Sequence, residues 1–167
     1  ACLKKVNLEE ANLSLANLSR ADLCDAHLHK TNLSEAILKE TNLTRAFMQQ
    51  ANMCSANFDK AKLLGADLKG ANLEHANLSE LDLGDVTLSR ADLHNANLKG
   101  ARLCDGKLDQ AILRSTNLSG ADLTNANLSE ANLSQAILSD AILTRSNLSF
   151  AFLSGADLSR ANLTQTN

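Results

Sequence analysis

The sequence predicts an all-β solenoid, a chain that coils around a stack of its own leucines. Leu, Met or Phe occupies every fifth position from Leu3 to Leu163 without interruption. The residue two positions earlier is Ala in most quintets, and every exception is small or apolar. The residue before the centre is most often Asn or Asp, and the one after it is often Ser or Thr. The fifth position is interpreted as unrestricted.

A period of five does not fit a regular helix or a flat strand. On a helix, each step of five shifts the leucine by about 140° around the axis, so the leucines would face every direction. In a flat strand, each step of five moves the side chain to the opposite face. The pattern fits a chain in which an extended Ala-x-Leu step points both side chains inward. The next three residues then turn a corner.

Composition excludes several classes of protein. The hydrophobic content of 44% excludes a disordered chain. Charged residues recur every few quintets, so no membrane span is expected, and no signal peptide lies within these residues. The net charge of −3 is too small to indicate a surface for polyanions. We therefore expect neither a nucleic acid nor a membrane as partner.

Runs such as Ala16-Asn17-Leu18-Ser19-Arg20 resemble the A-(D/N)-L-x-x signature of pentapeptide repeat proteins. The resemblance covers all 33 tandem quintets and implies one domain over residues 1–167. It also implies a right-handed quadrilateral parallel β-helix of about eight coils, with 20 residues per coil, and a bacterial source. Solenoids normally cover their last coils with caps, and no capping helix is predicted at either end. Either caps lie outside these residues, or the ends stack on another molecule; end-to-end association, giving a homodimer, is favoured.

Leu81 and Val86 depart from the Ala rule in consecutive quintets. They indicate either a seam between two blocks of repeats near residues 81–90 or a local repacking, which is favoured.

With 20 residues per coil, Cys54, Glu74, His94 and Arg114 stand in one surface column, with His75 diagonal to His94. The thiol and the His94 imidazole would be roughly 9.6 Å apart, two coil spacings, which is too far for a nucleophile–base pair. A flat face also provides no pocket. No enzymatic activity, catalytic residue or cofactor is predicted, and we expect a salt-bridge ladder across the coils.

His27 and His29 flank Leu28 and point outward on one face. A metal site is one interpretation, but two solvated imidazoles are favoured, with an ion pair from Glu9 to His29 at most. No metal is predicted. The repeated Asn-Leu-Ser/Thr tripeptides match the glycosylation acceptor only because the repeat generates them. Their Asn side chains are expected to form ladders, as in the column Asn12, Asn32, Asn52 and Asn72.

The four cysteines are predicted to be free thiols. Cys24 and Cys104 share a column but lie four coils apart, whereas Cys2 and Cys24 are about 8 Å apart, beyond disulfide reach. Cys54 lies on the opposite side. A chain without disulfides needs no oxidising compartment, so the cytoplasm is favoured, with an exported mature chain as the alternative.

Outward apolar residues gather toward the C-terminal coils, where Ile142, Phe150 and Phe152 are the candidate partner-binding residues. Phe150 and Phe152 are expected at one corner. Isolated surface hydrophobes spread over four faces are the alternative. The predicted function is a non-enzymatic structural or protein–protein interaction rod with an unidentified protein partner.

The second candidate function is a DNA-mimicking modulator of DNA gyrase or topoisomerase. The family resemblance implies it, because some members bind gyrase as a rod of DNA-like size and negative charge. The outward charges nearly cancel on each of the four predicted faces, which argues against it.

Overall fold

The computed structural model describes residues 1–167, which form one continuous solenoid. It contains no helix and no strand longer than a single bridge residue, since the second residue of each quintet forms isolated parallel bridges. The bridges run from Cys2 with Asp22 to Ile142 with Asn162, and each joins residues 20 apart. Four quintets therefore make one coil, and about eight coils are stacked. No helix is present that could cross a membrane.

Each quintet ends in a tight turn. The N–H that opens the next quintet donates to the carbonyl of the central residue, as Val6 donates to Leu3 with an N···O distance of 3.2 Å, and Leu81 is the one exception. The fifth residue is the third residue of this turn, and its φ is positive in every quintet, as in a type II turn. The prediction that the fifth position is unrestricted is therefore wrong for the backbone, because left-handed φ costs a non-glycine residue roughly 1–2 kcal/mol.

The preference for Asn or Asp at the second position has a local cause. The Asn12 side-chain oxygen accepts the Ser14 N–H at 3.1 Å and the Ser14 hydroxyl at 2.8 Å, an Asx turn that leads the chain into its corner. The predicted Asn ladder is confirmed in part. Asn32 donates to Asn12 at 3.3 Å and Asn52 to Asn32 at 3.4 Å, but Asn72 does not join them.

The interior is built from the Leu and Ala columns. Central residues from Leu23 to Leu143 are at most 1% exposed, and 45 buried residues form one continuous cluster. Threonines that replace the inward Ala stay satisfied, because each hydroxyl donates to a backbone carbonyl 23 residues earlier: Thr31 to Leu8, Thr41 to Leu18 and Thr116 to Leu93. Ser146 occupies the same kind of position, but its buried hydroxyl has no partner.

The ladder between coils is open at one place. Lys62 and Asp82 form no bridge. The backbone hydrogen bond expected from the Leu63 N–H to the Asp82 carbonyl is missing, and the Phe58 N–H also has no carbonyl partner on the next coil. Phe58 and Leu81 are buried here and are larger than the residues at these positions in most quintets. Since a close-packed interior has no spare volume, the coils move apart. Leu81 is thus accompanied by a local repacking, and a junction of two repeat blocks stays a prediction.

Candidate functional site: surface columns and the aromatic corner

The column of Cys54, Glu74, His94 and Arg114 does not form the predicted cross-coil ladder. The Glu74 carboxylate contacts its sequence neighbour His75, with Oε1 3.4 Å from Nε2. Neither His94 nor Arg114 takes part in any ion pair. The prediction fails because Glu74 reaches the corner residue of its own quintet more readily than the next coil.

His27 and His29 lie on one face as predicted, but their surroundings differ from the expectation. His27 stacks on Phe47 one coil away, with ring centroids 5.0 Å apart and an interplanar angle of 25°. Its Nδ1 lies 4.0 Å from the Glu9 carboxylate, so the predicted pairing of Glu9 with His29 is wrong. The side chain of Glu9 leans across the strand toward the stacked ring. No group of three or more metal-ligating side chains occurs in the structure.

All four cysteines are free thiols, as predicted. Burial, followed by a hydrogen bond to Asp25, raises the pKa of Cys24. Burial also raises the pKa of Cys104, with a contribution from Asp122. Because the thiolate is the nucleophilic form, these two side chains are poor nucleophiles near neutral pH.

Acidic and basic side chains at the corners pair across adjacent coils. Arg45 donates to the Asp25 carboxylate from Nε at 2.8 Å and from Nη2 at 3.0 Å, and this hydrogen bond is the main cause that lowers the pKa of Asp25. Arg160 pairs with Asp140 in the same bidentate way, with both distances 2.6 Å. Exposed pairs of this kind contribute little to stability, but they neutralise the faces of the rod.

The C-terminal apolar residues fall into two separate places. Phe150 and Phe152 flank one corner, as predicted, and are 85% and 63% exposed. Ile142 is 40% exposed but bridges Asp122 on the opposite face of the coil. The three candidate partner-binding residues therefore cannot belong to one contact surface.

A notch opens beside Phe152 on the same face, with a volume of about 330 Å³. Sequence reasoning missed it. The signal was the change along one column from the long Arg114 to Ser134 and Ser154, which the 20-residue period places on successive coils.

These features define a class of protein, a four-sided β-solenoid whose outward side chains form columns on flat faces. The profile of the family described as pentapeptide repeats matches eight copies, over residues 1–39, 36–74, 66–105, 107–140 and 141–167. The chain belongs to the pentapeptide repeat family, whose members fold as right-handed quadrilateral β-helices. Both the predicted family and the predicted fold are confirmed. Members are generally non-enzymatic structural or binding proteins.

Two solved structures illustrate the similarity. HetL from the cyanobacterium Nostoc sp. strain PCC 7120, described as involved in heterocyst differentiation regulation, is 34% identical with a TM-score of 0.59; the match covers 99% of this chain and 79% of HetL. Trypsin-treated QnrB1, described as a plasmid-mediated fluoroquinolone resistance protein, is 19% identical with a TM-score of 0.76, covering 89% of this chain and 77% of QnrB1. The QnrB1 likeness shows the fold alone. A comparison with curated proteins finds no match.

Proposed function

We propose that this protein is a non-enzymatic rod that binds a partner protein through the corner formed by Phe150 and Phe152. The supporting observation is the exposure of these two rings, 85% and 63%, in a chain with only four Phe. Aromatic side chains are enriched at protein interfaces and supply much of the binding energy when a partner covers them.

The position of Phe150 strengthens the proposal. It is the fifth residue of its quintet, with a φ of 59°. Apart from Leu15, every other fifth residue is polar or Gly, and a bulky residue is rare in the left-handed region. The ring therefore projects from a corner where a small or polar residue would suit both the backbone and the solvent better.

The partner can be sought with the rod as bait in a lysate of the source organism. Three baits are compared: the unmodified chain, a double variant with Phe150→Ser and Phe152→Ser, and Ile142→Ser as a matched control on the opposite face. Circular dichroism and thermal unfolding confirm that each bait is folded. A protein retained by the unmodified chain and the control, but lost by the double variant, is the expected result. Equal retention by all three baits would contradict the proposed surface.

Two copies of this chain are also proposed to associate end to end, as a homodimer. In the last coil, Leu153 and Leu158 are half-buried and their backbone N–H groups have no partner within the chain. Pairing with a second copy would cover these side chains and satisfy the strand edge. Analytical ultracentrifugation at tens of micromolar should give a dimer, and Leu158→Glu should give a monomer. If the unmodified chain is a monomer in this experiment, the proposed end-to-end association is wrong.

The alternative function is a DNA-mimicking modulator of DNA gyrase or topoisomerase. A rod of stacked coils supports it in shape, but corner pairs such as Arg45 with Asp25 leave the faces nearly neutral. In a supercoiling assay with purified gyrase, we expect no change in activity. Inhibition that persists when Phe150 and Phe152 are replaced would favour the alternative.

A further inference from the structure

We propose that the notch beside Phe152 binds a carboxylate of the partner protein, with Arg114 as its cation. This inference deepens the proposed function and rests on it, since it names the chemistry of the partner: an acidic segment with an apolar side chain next to the carboxylate.

The notch results from side-chain length along successive coils. Arg114 projects from one coil, whereas the next two coils carry Ser134 and Ser154 in the same column. At the adjoining corner, Gly155 has a φ of +70° and no side chain to fill the space. The walls of the notch are all polar or lack a side chain: Arg114, Asn132, Ser134, Gln135, Ser154 and Gly155.

The notch offers donors and has no acidic residue of its own. Arg114 makes no salt bridge within the chain. Four of the other arginines pair with a carboxylate on an adjacent coil: Arg20, Arg45, Arg102 and Arg160. The remaining two, Arg90 and Arg145, donate to the side-chain oxygens of Gln110 and Asn125. The Asn132 oxygen already accepts the Ser134 N–H at 3.1 Å, which leaves the Asn132 amide as a donor. A planar guanidinium with further N–H and O–H donors suits a bidentate carboxylate.

Phe152 does not line the notch but stands next to one of its walls, Asn132. Phe152 bridges Asn132 directly and stands two residues before Ser154 in the same quintet. Arg114 is the only charged residue in the three quintets 111–115, 131–135 and 151–155. The acidic residues of this face lie in earlier coils. One partner segment can therefore cover Phe152 and place a carboxylate at Arg114.

The test uses a defined peptide and does not need the natural partner. The ¹⁵N-labelled protein is titrated with acetyl-Phe-Glu-amide and, as a matched neutral probe, with acetyl-Phe-Gln-amide, at constant ionic strength. We expect saturable shifts at Ser134, Ser154 and Gly155 with the Glu peptide. Binding should weaken by roughly tenfold with the Gln peptide, and by a similar factor in Arg114→Gln, because each removes a charge-assisted pair.

Arg145→Gln, on the opposite face, is the matched control and should leave peptide binding unchanged. Sodium phosphate is titrated in parallel. Equal affinity for the two peptides, shifts spread over several faces, or saturable binding of phosphate without binding of the Glu peptide would each overturn the proposal. A notch that binds the Glu peptide while the bait captures no Phe-dependent protein would instead locate the failure in the proposed function.

Discussion

The replacement Ser146→Ala is expected to stabilise the protein. Ser146 lies at the inward position that most quintets fill with Ala, is 1% exposed, and its hydroxyl has no hydrogen-bond partner. A buried polar group without a partner costs roughly 1–3 kcal/mol. Removing the hydroxyl leaves Ala, the residue that most quintets carry at this inward position. We therefore expect the free energy of unfolding to rise by about 1 kcal/mol, the lower end of that range.

Thr116→Ala is the matched comparison and should act in the opposite direction. The Thr116 hydroxyl is equally buried, but it donates to the Leu93 carbonyl at 2.7 Å. Its removal loses a hydrogen bond of roughly 0.5–1.5 kcal/mol and a buried methyl group of about 0.8 kcal/mol. We expect a destabilisation of about 2 kcal/mol. The opposite sign comes from the lost hydrogen bond together with the lost methyl group, which a serine does not carry.

Thermal unfolding followed by circular dichroism measures both effects. For a protein of this size, 1 kcal/mol shifts Tm by about 2–4 °C. Ser146→Ala should raise Tm by that amount, and Thr116→Ala should lower it by about twice as much. A lower Tm for Ser146→Ala would refute the reasoning, because it would show that the Ser146 hydroxyl makes a stabilising hydrogen bond in solution.

Three further predictions concern the ladder, the ion pairs and the corners. Hydrogen exchange measured by NMR should be faster at the Phe58 and Leu63 amides than at other buried central residues, because these two amides have no carbonyl partner. The hydrogen bond from Arg160 lowers the pKa of Asp140. The ionised carboxylate therefore stabilises the folded state at any pH above its unfolded pKa, and this stabilisation is lost as the pH falls through the lower folded pKa. In denaturant titrations, Asp140→Asn should lower the free energy of unfolding at pH 7 but not near pH 2. Gly120 has a φ of +65° and open space where a Cβ would stand, so Gly120→Ala should cost about 1 kcal/mol through the backbone alone, and Gly120→Asn less.

Each of these expectations has a result that contradicts it. Protection at Phe58 and Leu63 equal to that at Leu103 would mean that the ladder is closed in solution. An Asp140→Asn effect of the same size at both pH values would show that charge is not its cause. No loss of stability in Gly120→Ala would mean that the corner accepts any residue without strain.

The repeat made most of the fold predictable. The unbroken step of five required the chain to coil, and the resemblance of runs such as Ala16–Arg20 to a known signature supplied four quintets per coil. Burial of the Leu and Ala columns follows directly. Free cysteines were predictable too, because a period of 20 residues converts sequence separation into distance.

The predicted surface contacts that were wrong all involve side chains that can reach neighbours in more than one direction. The column rule placed Glu9 on His29 and Glu74 on His94, but the carboxylates contact His27 and His75. A long side chain on a flat face reaches neighbours along the strand as well as across coils, and a one-dimensional pattern does not distinguish these contacts. Similarly, closeness in sequence grouped Ile142 with Phe152, although two corners of the coil separate them.

The sequence by itself determined the interior, because only a chain that coils around its leucines buries one at every fifth position; the number of quintets per coil came from the resemblance to the family. Only the tertiary structure decided which surface residues lie together. It placed Phe152 beside the notch at Arg114, put Ile142 on the opposite face, and opened the ladder near Leu81. Local periodicity dictates burial, which is a property of each residue, whereas notches, pairs and open ladders depend on the relative sizes of side chains that lie 20 residues apart.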